Sequence, residues 1–151
     1  MSALDSRILI VSIPTIVADL SADTATVVWV SVSYQLVLTI FLSSAGRIGD
    51  LYGRKRIFDY GFLLFIVGSA LSALAQNGLQ LASFRVVQGL GGAILVATST
   101  AMITDLTPKQ KLGRMLGIRS AIWASAAMAG PVLGGLLVAT LGWRSLFYVT
   151  I

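Results

Sequence analysis

Asp50 and Arg54 stand four residues apart inside GRIGDLYGRKR, the run from Gly46 to Arg56. On a helix that spacing sets a carboxylate and a guanidinium one turn apart, close enough to pair. Four cations and one acid share those eleven residues, punctuated by Gly46, Gly49 and Gly53. Such a segment either fixes topology through its basic charge or acts as a gate whose ion pairs hold one conformation. For the gate the candidate residues are Gly46, Arg47, Asp50, Gly53, Arg54 and Lys55. Arg85 is a second site. It lies about six residues into an apolar run, with Gln88 and Gly89 one turn along. A cation at that depth either snorkels to the interface or faces a bundle interior and needs an acidic or carbonyl partner. Asp5 is a third. It reads either as a polar residue at a solvated terminus or as an acid at membrane depth, where an Asp5–Arg85 pair is expected. The fourth is AGPVLGG, Ala129 to Gly135. Pro131 removes a backbone hydrogen bond and bends a helix there. Gly130, Gly134 and Gly135 clear side chains so that another helix can approach.

Several chemistries are excluded by composition. The chain has no Cys, no His and no Glu, so its side-chain carboxylates are Asp5, Asp19, Asp23, Asp50, Asp59 and Asp105. Disulfides, Cys or His metal sites and histidine catalysis are ruled out, and no cofactor, metal or enzyme chemistry is expected. GLGGA at Gly89–Ala93 lacks the Lys-Ser/Thr ending of a Walker loop. The net charge of +5 does not signal nucleic acid, because the cations sit in loops between apolar runs. The start carries Asp5 and Arg7 and does not read as a cleavable signal peptide.

The elements that must position these residues are membrane helices. The chain is 56% hydrophobic and only 11% charged, against about 25% charged residues in a soluble domain. A spanning helix needs about 20 mostly apolar residues. That rule places spans at about 27–45, 57–75, 79–103 and 118–141, with a further helix opening at Ser145. A first span at about 4–20 is short, and it is read as a helix that carries polar residues at membrane depth and is trimmed at its N-terminus. The fold expected is all-α and integral to the membrane, one partial transmembrane domain over residues 1–151. It has about five helices, the start of a sixth, and a shortened first helix. The loops 46–56 and 104–114 hold seven cations, while the opposite loops hold one, Arg144. This bias makes both basic loops cytoplasmic. Trp29 and Trp143 fall at the outer span ends, where aromatic anchors are expected. Gly113 and Gly117 are expected to serve packing.

These motifs together resemble the major facilitator superfamily. Gly46, Ile48, Gly49, Asp50, Tyr52, Gly53, Arg54 and Lys55 are similar to the family's G-x-L-G/A-D-R/K-x-G-R-R/K loop, departing at Leu51 and mildly at Ile48. Arg85, Gln88 and Gly89 resemble its R-x-x-Q-G pattern, and Gly130, Pro131, Gly134 and Gly135 its antiporter signature. Leu4, Asp5 and Pro14 resemble the first-helix motif of drug:proton antiporters, fourteen-helix branch, with Arg7 and Ser12 in place of the usual Thr and Ala. The resemblance implies the N-terminal part of a two-halved transporter. Its partners would be protons, a small-molecule substrate, the bilayer and the C-terminal half. It would sit in the plasma (inner) membrane of a prokaryote and export hydrophobic or cationic compounds by alternating access. The alternatives are metabolite uptake on the same fold, or a truncated, non-transporting membrane fragment. The resemblance assigns Asp50 and Arg54 to a charge network favouring the outward-facing state, and Arg85 to proton coupling. Asp5 would line the central cavity, and Gly130–Gly135 would shape the fifth helix.

Overall fold

The computed structural model describes residues 12, 14–17, 19 and 23–149, and all its regular elements are helices. Asp5 and most of the first span lie outside the described residues. Five helices follow from Thr24 onward: α1 (Thr24–Tyr52), α2 (Arg54–Ala73), α3 (Gly78–Leu106), α4 (Lys109–Leu141) and α5 (Ser145–Val149). The first four are long and apolar enough to cross a membrane. At 1.5 Å per residue, the 29 residues of α1 and of α3 run ~43 Å each, beyond the ~30 Å hydrocarbon core.

That surplus corrects the loop boundaries. The segment 46–56 is not a loop: α1 continues through Tyr52, α2 begins at Arg54, and Gly53 alone breaks the helix. Likewise only Thr107 and Pro108 separate α3 from α4 inside 104–114. An apolar-length rule ends a helix at its first charges, whereas the backbone continues, because Arg, Lys and Asp on solvated turns cost a helix little. Gly53 makes the reversal at φ +96°, a region open to glycine, and its N–H donates to the Gly49 carbonyl at 3.1 Å. At the other end of the bundle, α3 starts with a reciprocal cap. Asn77 Oδ1 accepts from the Gln80 N–H at 2.8 Å, and Gln80 Oε1 accepts from the Gln76 N–H at 3.1 Å.

α3 is the hub. α1 and α2 both pack along it and touch each other far less, while α4 meets it only lightly. Glycines explain the close approach. A Cβ on Gly91 of α3 would stand 2.5 Å from the Phe65 nitrogen of α2, and one on Gly68 of α2 would stand 2.6 Å from the Gln88 nitrogen of α3. On the other face, Gly89 and Gly92 receive Tyr34 of α1. GLGGA is therefore a two-sided helix seam. Gly113 and Gly117 behave oppositely: nothing lies within 4 Å of a Cβ at either, so their expected packing role is not met by the described residues. In α4 only Gly130 and Gly134 are buried, and the helix runs unbroken through Pro131. At the end away from the basic segments, an apolar cluster joins Ile16, Val30, Ala73, Leu81, Trp143 and Phe147.

Candidate functional site

Three polar constellations are built on this frame. The first lies at the basic end. Asp50 on the last turns of α1 and Arg54 on the first turn of α2 flank Gly53, so the glycine reversal sets their relation. Arg54 donates through Nε to Asp50 Oδ1 at 3.0 Å and through Nη2 reaches the same oxygen at 3.0 Å. Its Nη1 donates to the Ala101 carbonyl at 2.7 Å and pairs closely with Asp105 Oδ2. One guanidinium thus ties the ends of α1, α2 and α3. Asp105 was missed by sequence reasoning because it lies 51 residues from Arg54. Its signal was that it is the one acid in the second basic segment. Arg47 and Lys55 are exposed, and a Cβ at Gly46 would meet nothing within 4 Å. The cluster therefore gathers Asp50, Gly53 and Arg54 from the six expected residues, with Lys55 lining the same hollow without a bond among the described residues, and leaves out Gly46 and Arg47.

The second constellation is buried. Arg85 is 1% exposed and Gln88 0%, which rules out snorkelling for Arg85. Its Nη1 donates to Gln88 Oε1 at 2.6 Å, one helical turn on. The guanidinium carbon stands 4.5 Å from the centre of the Tyr34 ring and 5.7 Å from that of Phe147. Two aromatic faces thus help to hold a cation where water is scarce. Tyr34 comes from α1 and Phe147 from α5, so the seat is shared by three helices. Ser69 of α2 secures the third by donating to the Phe147 carbonyl at 3.0 Å. The expected partner Asp5 lies outside the described residues.

The third lies at the opposite end and was not foreseen. Asp19 Oδ2 accepts from the Trp143 indole N–H at 2.8 Å and from Arg144 Nη1 at 2.9 Å. Arg144 stacks over the Trp143 ring at 4.5 Å and reaches the Ala75 carbonyl at 3.4 Å. The indole and guanidinium donors hold the Asp19 carboxyl below its ordinary value. Trp143 is 2% exposed and packs edge-on against Phe147 at 6.1 Å. It is therefore a core residue, correcting the expectation of an interfacial anchor; the run GWR placed it at a span end but could not reveal that the chain folds back there. Trp29, 59% exposed, keeps the expected surface position. Of the helix-bend motif, Gly130 and Gly134 are buried, Gly135 is half-buried and Pro131 is exposed.

Comparison with known proteins decides the family. A model described as Major Facilitator Superfamily matches residues 1–151. The chain belongs to the major facilitator superfamily. Among its relatives, Multidrug resistance protein 3 of Bacillus subtilis is 36% identical over all of the chain and 29% of the relative. Multidrug resistance protein Stp of Mycobacterium tuberculosis is 40% identical, again over all of the chain and 28% of the relative. The Riboflavin transporter RibZ of Clostridioides difficile is 36% identical over all of the chain and 33% of the relative. The chain spans about a third of the length of these curated relatives. A superfamily member with four membrane-length apolar helices is an integral membrane protein.

Proposed function

We propose that the chain forms part of a secondary active transporter that exports hydrophobic or cationic small molecules in exchange for protons. The observation that carries this reading is the match, over the whole chain, to relatives named for multidrug resistance. The mechanism would be alternating access, in which two halves rock about a midplane site. Asp50, Arg54 and Asp105 would latch the ends of α1, α2 and α3 in one conformation, opening as the halves rock. Arg85, with Gln88, would serve coupling: a buried cation lowers the proton affinity of any carboxylate brought near it. Asp5 is the candidate acid for that exchange. Gly130, Pro131, Gly134 and Gly135 would shape the face of α4 that meets the other half. The protein would lie in a prokaryotic plasma membrane with the basic ends cytoplasmic. No catalytic chemistry is proposed.

Metabolite uptake is the second reading, favoured by the riboflavin transporter among the relatives. An efflux panel on the full-length gene separates the two. Export of several cationic dyes, abolished by a proton uncoupler, supports the first. Export that persists after uncoupling removes proton exchange. Accumulation of one metabolite without dye export would replace the proposal with uptake.

A further inference from the structure

Tyr34 is buried on α1, and α3 sets its place. Arg85, Gly89 and Gly92 stand at i, i+4 and i+7, on one face of α3. The two glycines leave a groove on that face. A Cβ at Gly89 would stand 2.9 Å from the Tyr34 carbonyl oxygen, and one at Gly92 would stand 2.9 Å from the Tyr34 hydroxyl. Backbone and hydroxyl of Tyr34 are both pressed against α3, so the ring between them lies along the groove. Arg85 is one turn before Gly89, and its guanidinium carbon stands 4.5 Å from the ring centre. That is well inside the ~6 Å reach of a cation–π contact, whereas Phe147 at 5.7 Å is close to its limit.

Position decides what a buried cation can do. Its pull on a carboxylate falls with distance, and in a low dielectric each ångström counts for more than in water. The Arg85 side chain is long and flexible. Gln88 Oε1 takes a donor at one corner of its fork, at 2.6 Å. The Tyr34 ring restrains the carbon at the centre of that fork. The kind of group that holds the cation matters as well. A carboxylate in this role would cancel much of the positive field. An aromatic face carries no net charge, so it holds the guanidinium and leaves the positive charge in force.

We propose that Tyr34 is a positioning residue for Arg85. Its ring face anchors the guanidinium without neutralising it, so the cation keeps its place while a carboxylate brought near it gains and loses a proton. Phe147 adds a second, weaker face from α5, and Ser69 holds that residue through its carbonyl. The inference rests on the coupling role given to Arg85 above. It assigns the effect to the face of the ring and not to the hydroxyl, so Tyr34→Phe keeps the anchor and Tyr34→Leu removes it.

Fluorination of the ring tests this, because each fluorine draws electron density from the face and changes its shape little. The full-length protein is prepared as Tyr34→Phe and as the mono-, di- and trifluorinated forms of that variant. Melting in detergent and proton-driven ethidium export from vesicles are both read. Tyr34→Phe is expected to export within about twofold of the native protein, and the trifluorinated form about tenfold more slowly than Tyr34→Phe, the fold-change of a desolvated cation–π bond. Melting temperature falls in the same order, and Phe147→Leu costs less export than Tyr34→Leu. In an Arg85→Met background the melting series becomes flat. A flat melting series with Arg85 in place overturns the proposal by itself. A fall that persists in Arg85→Met also overturns it, assigning the effect to packing of the ring in the glycine groove. Melting that follows the fluorines while export does not leaves the ring a structural contact only, and the positioning role is lost. Arg85→Met that exports at the native rate defeats the coupling reading instead, and the proposal with it.

Discussion

At the basic end of the bundle one guanidinium serves two carboxylates, whereas at the opposite end one carboxylate serves a guanidinium and an indole. The cluster of Arg54 joins helices that α3 already packs together. Its two acids are more than half exposed, so water and salt weaken each bond. Losing it changes the charge balance more than the packing. The cluster of Asp19 is backed by Trp143, Phe147 and the apolar residues around them. It fastens the α4–α5 connection and the segment before α1 onto the three-helix unit. Charge pairs over a dry aromatic contact act as a staple; charge pairs over already packed helices suit a switch.

The comparison can be broken at its common support. Gly91→Ala forces a methyl into the Phe65 backbone, with an expected stability loss of roughly 1–3 kcal/mol. Thermal melting in detergent should show both ends loosening together, and a melting temperature equal to that of the native protein would refute the seam. Next in size, Arg54→Ala leaves Asp50 and Asp105 facing each other without a cation. In the complete protein transport should slow by about tenfold, equivalent to ~1.4 kcal/mol on the barrier, with insertion and topology intact. Asp50→Asn should slow transport less, and normal rates in both variants would remove the switch.

Asp19→Asn sharpens the other half. It should lower the melting temperature modestly without a matching loss of transport rate. Because the Asp19 carboxyl is held below its ordinary value of 3.8, its contribution is present above that value and is lost as pH falls through the lower, folded one. The gap in melting temperature between Asp19→Asn and the native protein should therefore stay constant from neutral pH to about pH 5 and close below about pH 4. A gap that closes nearer neutrality would point to a different group. The smallest effect is expected for Arg47→Gln with Lys55→Gln. Both side chains are exposed and unpaired among the described residues, so melting should stay unchanged. If the pair melts like Arg54→Ala, the charge of the whole segment matters and not the single guanidinium.

These contrasts follow how the chain could be read. Helix number after Thr24 was legible because apolar length is a local property. The Asp50–Arg54 pair was legible because four residues is one turn. Asp105 was not, since its approach depends on α3 lying beside α2, and nothing local encodes which helices are neighbours. Trp143 was misplaced for a similar reason: its position at a span end is local, but its burial depends on Phe147 turning back over Arg85. The charged turns of α1 and α4 were read as loops because polarity and helicity are independent where helices leave the membrane.

The glycine seam of α2 and α3 has a thermodynamic consequence. Within a bilayer, apolar burial gives helices little reason to associate, and packing decides. Gly61, Gly68 and Gly91 have no rotamers to lose on pairing, so this joint forms with almost no side-chain entropy cost. Its strength should vary little with lipid species or temperature. Among the described residues α4 has no such joint with α3, which it meets only lightly.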